Sequence, residues 1–251
     1  MPLITTQAIL LHAIPYGDTS RILKLLSPDA GLVSVIARGA RRAKARTGPR
    51  LDLFAAGTAG IILRDGRDLH TLSSFEIGDA HARLARDVER FAAAAALVEI
   101  ILRCAPAEPH PEIFDALVDG LTAIEHAQDA AGPAALTACW NLVGALGFTP
   151  TLDRCVVCGD DAGGAIAFSA ASGGALCARH RGGMRTANLG ASDAADLAAL
   201  VQGGVPAALD ARHLAAHRRL LAGFVRTHLA EHRDMPALAF WEQGSWNHTS
   251  S

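Results

Sequence analysis

Cys155, Cys158, Cys177 and His180 stand in the pattern C-x2-C-x18-C-x2-H, and these side chains carry the tightest chemical constraint in the chain. Two donor pairs at knuckle spacing, separated by roughly 20 residues, can close one tetrahedron around a thiolate- and imidazole-binding metal. The segment between them holds Gly159, Gly163, Gly164, Gly173 and Gly174, which supply the sharp turns of a tight ribbon. One Zn2+ is the expected ion. Four protein ligands leave no open position for a reactive water, so this zinc would hold the fold and not catalyse. Three of the five cysteines fall within 23 residues, which sets them apart from Cys104 and Cys139. Those two sit alone in apolar helical segments and read as buried hydrophobes.

A second chemistry lies upstream. Residues Arg38 to Arg50 carry six positive charges in 13 positions (Arg38, Arg41, Arg42, Lys44, Arg46 and Arg50) and no acid. Small residues fill the gaps, so the cations are unobstructed and the backbone can lie close to a phosphate chain. The net charge of −2 hides this asymmetry. Residues 1–80 hold ten Lys/Arg against seven Asp/Glu, and the remaining 171 hold thirteen against eighteen. Both lysines, Lys24 and Lys44, fall in the first 50 residues. Such imbalance points to a local anion-binding surface. Near the C-terminus Arg212, Arg219, Arg226 and Arg233 recur every seven residues. On one helix they would form a stripe, either a solvated face or a contact for an acidic partner or DNA.

The elements that must position these groups come in two kinds. Leu3–Ile14, Arg21–Ser27, Gly31–Arg38, Leu53–Leu63 and Asp68–Ile77 read as short strands, with Asp65-Gly66 as a hairpin turn between the last two. In the fifth, Leu69, Thr71, Ser73 and Phe75 would share one face and His70, Leu72 and Ser74 the other. Five such strands in 80 residues predict a small closed barrel, and barrels of the OB type bind single strands with a basic groove and loops. Tyr16, Phe54 and Phe75 are its aromatics, too few for base stacking to dominate, which favours backbone contact.

Beyond Ile77 the period becomes helical. His81–Arg103 would bury Leu84, Val88, Phe91, Ala95, Val98 and Leu102. Pro111–Gln128 would bury Ile113, Leu117, Leu121 and Ile124. Pro133–Leu146 ends at Gly147. After the cysteine segment come Ser192–Gln202, with Ser192 as N-cap, and a long helix at Asp210–Arg233. The fold class is therefore α+β multidomain: an N-terminal small β-barrel (1–80), a helical domain (81–149 and 188–243), a zinc ribbon inserted at 150–187, and a flexible tail at 244–251. No apolar run reaches the ~20 residues of a bilayer span, and Met1–Thr6 lacks the basic start of a signal peptide. Cysteines used as ligands fit a reduced, cytoplasmic protein.

The sequence resembles the RecO family of bacterial recombination-repair mediators. The likeness rests on Thr6-Gln7-Ala8-Ile9-Leu10, on Tyr16-Gly17-Asp18-Thr19-Ser20-Arg21 and on Ala37-Arg38-Gly39-Ala40-Arg41-Arg42. It continues from Leu146 through Cys155-Val156-Val157-Cys158-Gly159, and in Phe168-Ser169 and Gly173-Gly174. His180 departs from such ribbons, whose fourth ligand is often cysteine. The resemblance implies a non-enzymatic protein that binds single- and double-stranded DNA and anneals complementary strands. It implies partnership with RecR, contact with the acidic tail of single-strand binding protein, help in loading RecA, and a nucleoid-associated place in the cytoplasm.

The nucleic-acid-binding set is then Lys24, Arg38, Arg41, Arg42, Lys44, Arg46 and Arg50, with Arg212, Arg219 and Arg226 as a further partner or DNA contact. Two other readings use the same residues. A zinc-ribbon transcription or translation accessory protein keeps the loop and the metal. A zinc nucleobase deaminase would combine His110-Pro111-Glu112 with Cys155 and Cys158. It lacks the proline before Cys155 and leaves Cys177 and His180 without a role.

Overall fold

The computed structural model describes residues 2–38, 51–128, 131–183, 185–206, 209–230 and 233–244. Its first part is built from β1 (Leu3–Tyr16), β2 (Ser20–Ser27), β3 (Gly31–Ala37), β4 (Ala56–Ile62) and β5 (Leu69–Asp79). They close in the order β1-β2-β3-β5-β4, antiparallel except for the β3–β5 pair. Closure leaves no ladder edge open to another chain. The expected barrel is present, with β4 starting later than its apolar run because Phe54 takes a φ of 71° at the strand entry.

β1 buries both faces, the pattern of a strand covered on each side. Ala8 and Leu10 join the barrel interior with Leu23, Val35, Ile61 and Leu72. Ile9 and Leu11, with Leu26 and Phe54, join the core of the helical part, where Phe54 meets Phe91 edge-on at 5.6 Å. The strict alternation expected in β5 fails. The register shifts between the Gly60–Ser74 and Ile61–Leu72 pairs. That bulge lets Leu72 and Phe75 both enter the barrel core, although an odd spacing would otherwise separate them.

The helical part comprises α1 (Val88–Cys104), α2 (Pro111–His126), α3 (Ala131–Ala145), α4 (Ala191–Val201), α5 (Ala211–His228) and α6 (Pro236–Gln243). α2 buries Ile113, Leu117, Leu121 and Ile124, as its stripe predicts. α1 differs from expectation. A short 3-10 turn at Leu84–Arg86 precedes it, and the Asp87 side chain caps it by accepting from Arg90 N. Leu84 and Val98 of the expected stripe are buried and Leu102 packs against the core. The buried face also takes Ala92, Ala93, Ala96, Leu97, Ile100 and Ile101, while Val88 and Phe91 are exposed. Alanines allow the close backbone approach that puts this face, not the bulkier one, at the centre. α4 starts after Gly190 with no side-chain cap, so Ser192 is not its N-cap. α5 stops at His228, and Arg233 therefore lies beyond it.

Polar anchors join the two parts. The buried His81 lies 2.7 Å from Glu125, whose other carboxylate oxygen accepts from Arg83 N. Within the helical part, Glu99 Oε2 of α1 accepts from Leu238 N at 2.8 Å and so serves the open first turn of α6. Gly31, at φ 67°, closes the β2–β3 turn where a Cβ would come within 2.4 Å of the Ala107 carbonyl oxygen. Inside the helical core, Arg218 is 2% exposed. It donates to Glu89 at 2.5 Å and lies over the Trp241 ring at 5.4 Å. Burial lowers its pKa, and Glu89 opposes that shift. Arg218→Ala leaves Glu89 without this cation and empties a packed volume. We expect a loss of about 3 kcal/mol, read as a fall of about 6–12 °C in the thermal midpoint.

Candidate metal centre and nucleic-acid surface

The ribbon grows out of the segment after α3. Gly147, at φ 89°, ends that helix, and the chain runs through Thr151 into a three-stranded sheet of order β7-β6-β8: β6 (Ile166–Ser169), β7 (Gly174–Leu176) and β8 (Ala187–Leu189). Thr151 bridges to Gly174, where an added Cβ would lie 2.1 Å from the Thr151 carbonyl oxygen. Only glycine permits that approach. Gly159 N donates to the Cys155 carbonyl and His180 N to the Cys177 carbonyl, at 2.8 and 3.0 Å. Each bond closes one knuckle turn and turns its pair of side chains inward.

The four donors that the spacing singles out converge. Cys155, Cys158, Cys177 and His180 offer ligand atoms that all lie within 4.8 Å of one another. The Cys158 and Cys177 sulfurs are 3.9 Å apart, and His180 Nδ1 lies 3.3 Å from Cys177 Sγ and 3.6 Å from Cys155 Sγ. A tetrahedral ion bound at about 2.3 Å by sulfur and 2.0 Å by nitrogen requires S···S edges near 3.8 Å and S···N edges near 3.5 Å. The set fits such an ion through His180 Nδ1.

The electrostatics favour the ligating thiolate at Cys155 and Cys177. At Cys158 the Asp160 amide is outweighed by burial and the Cys155 and Cys177 thiols, which raise it, and Cys177 and Cys155 raise His180. Amide N–H groups, that of Cys177 foremost, draw the Cys155 thiol down to about 6. Burial works against ionising Cys177, but the His180 imidazole and the Arg179 amide outweigh it and lower that thiol too. Thiolates are the metal-binding form. All five cysteines are free of disulfides. Cys139 is buried in α3, its thiol pushed up to about 12 by burial. Cys104 is half-buried and donates to the Leu229 carbonyl at 3.5 Å.

Of the expected nucleic-acid residues, Arg41, Arg42, Lys44, Arg46 and Arg50 lie outside the described residues. The ends of their loop are fixed. Arg38 is exposed at the end of β3, and Leu51 is buried where the chain returns to the barrel. Arg21 pairs with Ala37 across β2–β3 and with Pro15 across β1–β2, and its guanidinium reaches the Leu51 carbonyl. Tyr16, next in register, is 52% exposed. One barrel end therefore gathers Tyr16, Arg21, Arg38 and both roots of the basic loop. Neither Tyr16 nor Arg21 stood out as a site residue in the sequence, because their nearness to Arg38 exists only through strand register.

Lys24 is exposed three residues further along β2. It lines a crevice of about 440 Å³ between barrel and helices with His12, Glu99 and Arg103. The arginine stripe does not survive as one surface. Arg212 and Arg219 are exposed on α5, but Arg226 pairs with Glu242 of α6 and Arg233 donates to the Arg103 carbonyl. Replacing Arg212 and Arg219 by Gln should move stability by less than about 0.5 kcal/mol. Arg226→Gln also loses an ion pair, worth up to about 1 kcal/mol. Thermal unfolding of the variants checks both. His110 and Glu112 pair with each other at 2.9 Å and belong to none of the donor clusters among the described residues.

Strand order and the donor cluster together define the class: a five-stranded OB-type barrel joined to a helical body that carries a ribbon with a Cys3His set able to hold a metal. Residues 1–81 match the family model described as Recombination protein O N terminal, and residues 85–235 the one described as Recombination protein O C terminal. The chain belongs to the RecO family of DNA repair proteins. A DNA repair protein RecO of Anaeromyxobacter dehalogenans (strain 2CP-C) is 36% identical over 238 residues, covering 91% of this chain and 92% of the relative. The RecO of Rubrobacter xylanophilus is 33% identical over 178 residues, 70% of this chain and 71% of the relative. That of Synechococcus elongatus is 37% identical over 153 residues, 60% and 57% of the two chains. These names denote repair and no enzymatic activity. No helix among the described residues is long and apolar enough to cross a membrane.

Proposed function

We propose that this chain is a recombination mediator that binds single- and double-stranded DNA and anneals complementary strands. Residues 1–80 form the DNA-binding unit, with Lys24, Arg38, Arg41, Arg42, Lys44, Arg46 and Arg50 as its phosphate contacts. The observation that carries this reading is the closed OB-type barrel whose β3–β4 connection is the basic loop, rooted beside Tyr16, Arg21 and Arg38. Two strands repel through their phosphates, and cations along one short segment of sequence screen that repulsion while they meet. Contacts to phosphates carry no base information, so binding is general with respect to sequence.

The helical body, residues 81–149 and 188–243, recruits protein partners. RecR and the acidic tail of single-strand binding protein bind it, and RecA is loaded indirectly onto the coated DNA. Exposed Arg212 and Arg219 on α5 are available for a partner or for DNA, and Arg226 contributes only if its Glu242 pair opens. The ribbon, residues 150–187, holds one structural Zn2+ through Cys155, Cys158, Cys177 and His180. The protein works in the cytoplasm at the nucleoid.

Annealing of two complementary oligonucleotides, with and without single-strand binding protein, tests this reading. Acceleration by the purified chain at low salt, fading as salt rises, is expected. Annealing no faster than the spontaneous rate, at concentrations where the chain is folded, would defeat it.

A further inference from the structure

α5 carries a histidine in an unusual state. His217 is 2% exposed, and its Nδ1 has no hydrogen-bond partner among the described residues. A buried, unpaired polar atom costs about 1–3 kcal/mol, and a native structure retains one where something else satisfies it. Facing it is α4, on which Asp193 and Asp196 stand three residues apart and so share one side of the helix. One ligand atom from each of Asp193, Asp196 and His217 lies within 4.8 Å of the other two.

The surroundings suit a cation. His217 and Asp193 line a cleft of about 570 Å³ bounded by β8, α4 and α5. One turn before His217, His213 has Nδ1 2.8 Å from Asp210 and Nε2 3.6 Å from Asp193 Oδ1. His213 is thus an ion-pair neighbour of Asp193 and flanks the cluster from outside it. Arg212 and Arg219 line the same cleft, but both are exposed and screened by salt.

We propose that Asp193, Asp196 and His217 form a second metal site, distinct from the ribbon, that takes a borderline divalent cation such as Zn2+. One imidazole and two carboxylates are the nitrogen–oxygen set that suits zinc, whereas Ca2+ and Mg2+ prefer oxygen alone. Donor separations near 3.4 Å are needed around a tetrahedral ion at about 2.0–2.2 Å, inside the 4.8 Å within which the three ligand atoms lie. Burial holds the His217 imidazole below its ordinary pKa, with both aspartates opposing that shift. The neutral imidazole is the form that ligates. Three ligands leave an open position toward the cleft, so the ion exchanges more readily than one enclosed by four. When bound, it ties α4 to α5.

The test uses the full-length chain with zinc retained in the ribbon and labile ions removed by a weak chelator, so that metal analysis gives one ion per chain. Titration with Zn2+, by calorimetry and equilibrium dialysis, should add one further ion and raise the thermal midpoint. Asp193→Asn with Asp196→Asn, which keeps side-chain shape, should weaken that second uptake at least tenfold and abolish the zinc-dependent rise. His217→Ala should do the same. Co2+ as a second probe should bind there without the thiolate charge-transfer absorption that cobalt in the ribbon produces. A chain that saturates at one ion, or a second uptake that both variants leave unchanged, would overturn the site.

Discussion

Cys155→Ser is expected to bring the zinc content of chelator-washed protein from about one ion per chain to near zero and to unfold residues 150–187 as a unit. Cys155 is 1% exposed and packs with Ala167 and Leu176 in the ribbon's own small cluster. A second cluster of Ala162, Ile166 and Ala175 is equally small, and the two together fall short of a core. Apparent binding energies of structural zinc, about 10–16 kcal/mol in zinc-finger peptides, exceed anything such a cluster supplies. The damage should spread in one direction only. Phe168 packs on Phe224 at 6.1 Å, and His228 Nε2 meets the Ala170 carbonyl at 2.5 Å. Loss of the ribbon thus removes contacts from α5. The barrel interior, built from Ala8, Leu10, Leu23, Val35 and Ile61, contains no ribbon residue. Hydrogen exchange should accelerate across the ribbon and the C-terminal half of α5 while the barrel stays protected. Full zinc retention in the variant, or loss of protection in the barrel alone, would contradict this account.

What the sequence makes legible depends on how local the cause is. The four converging donors can be read from spacing because two knuckles fix their own geometry, and His180 N to Cys177 O is a contact over three residues. The barrel strands can be read from short apolar runs between turns. The bulge in β5 cannot, because it is decided by pairing with β4. The face of α1 is misread in part, at Val88 and Phe91, for a similar reason. Its alanines reveal themselves as core only when another helix lies close enough to touch them, and Phe91 is drawn aside to meet Phe54 of the barrel entry. α6 escapes the periodicity reading because its eight residues are too few for a pattern. It is held by Leu238 and Trp241 in the core and by Glu99 at its first turn. Arg218 looks like one more solvated cation next to Arg219. Only Glu89 and Trp241, far away in sequence, explain why it is buried. His217 is equally silent until Asp193 and Asp196 arrive from α4.

Replacing Arg41, Arg42, Lys44 and Arg46 together by Ala should weaken DNA binding by a large factor while leaving the fold intact. The loop connects Arg38 at the end of β3 to Leu51, and Leu51 keeps its place in the barrel core whatever lies between. Thermal stability should therefore be nearly unchanged. Affinity follows counterion release, with a slope of about −0.7 per phosphate on single strands. Four lost contacts reduce the magnitude of the log–log salt slope by up to about 3 and make binding at 0.1 M salt about 10²–10³-fold weaker. The loss should be the same for every sequence, since phosphate contacts position without specifying. Tyr16 gives an internal control. At 52% exposure beside Arg21, it offers a stacking face worth about 1–3 kcal/mol for a base, and stacking does not release counterions. Tyr16→Ala should lower single-strand affinity at constant salt slope, whereas the quadruple variant lowers both. A quadruple variant with the parent's slope would reduce the loop to a solvated turn and move the DNA-binding surface elsewhere on the barrel.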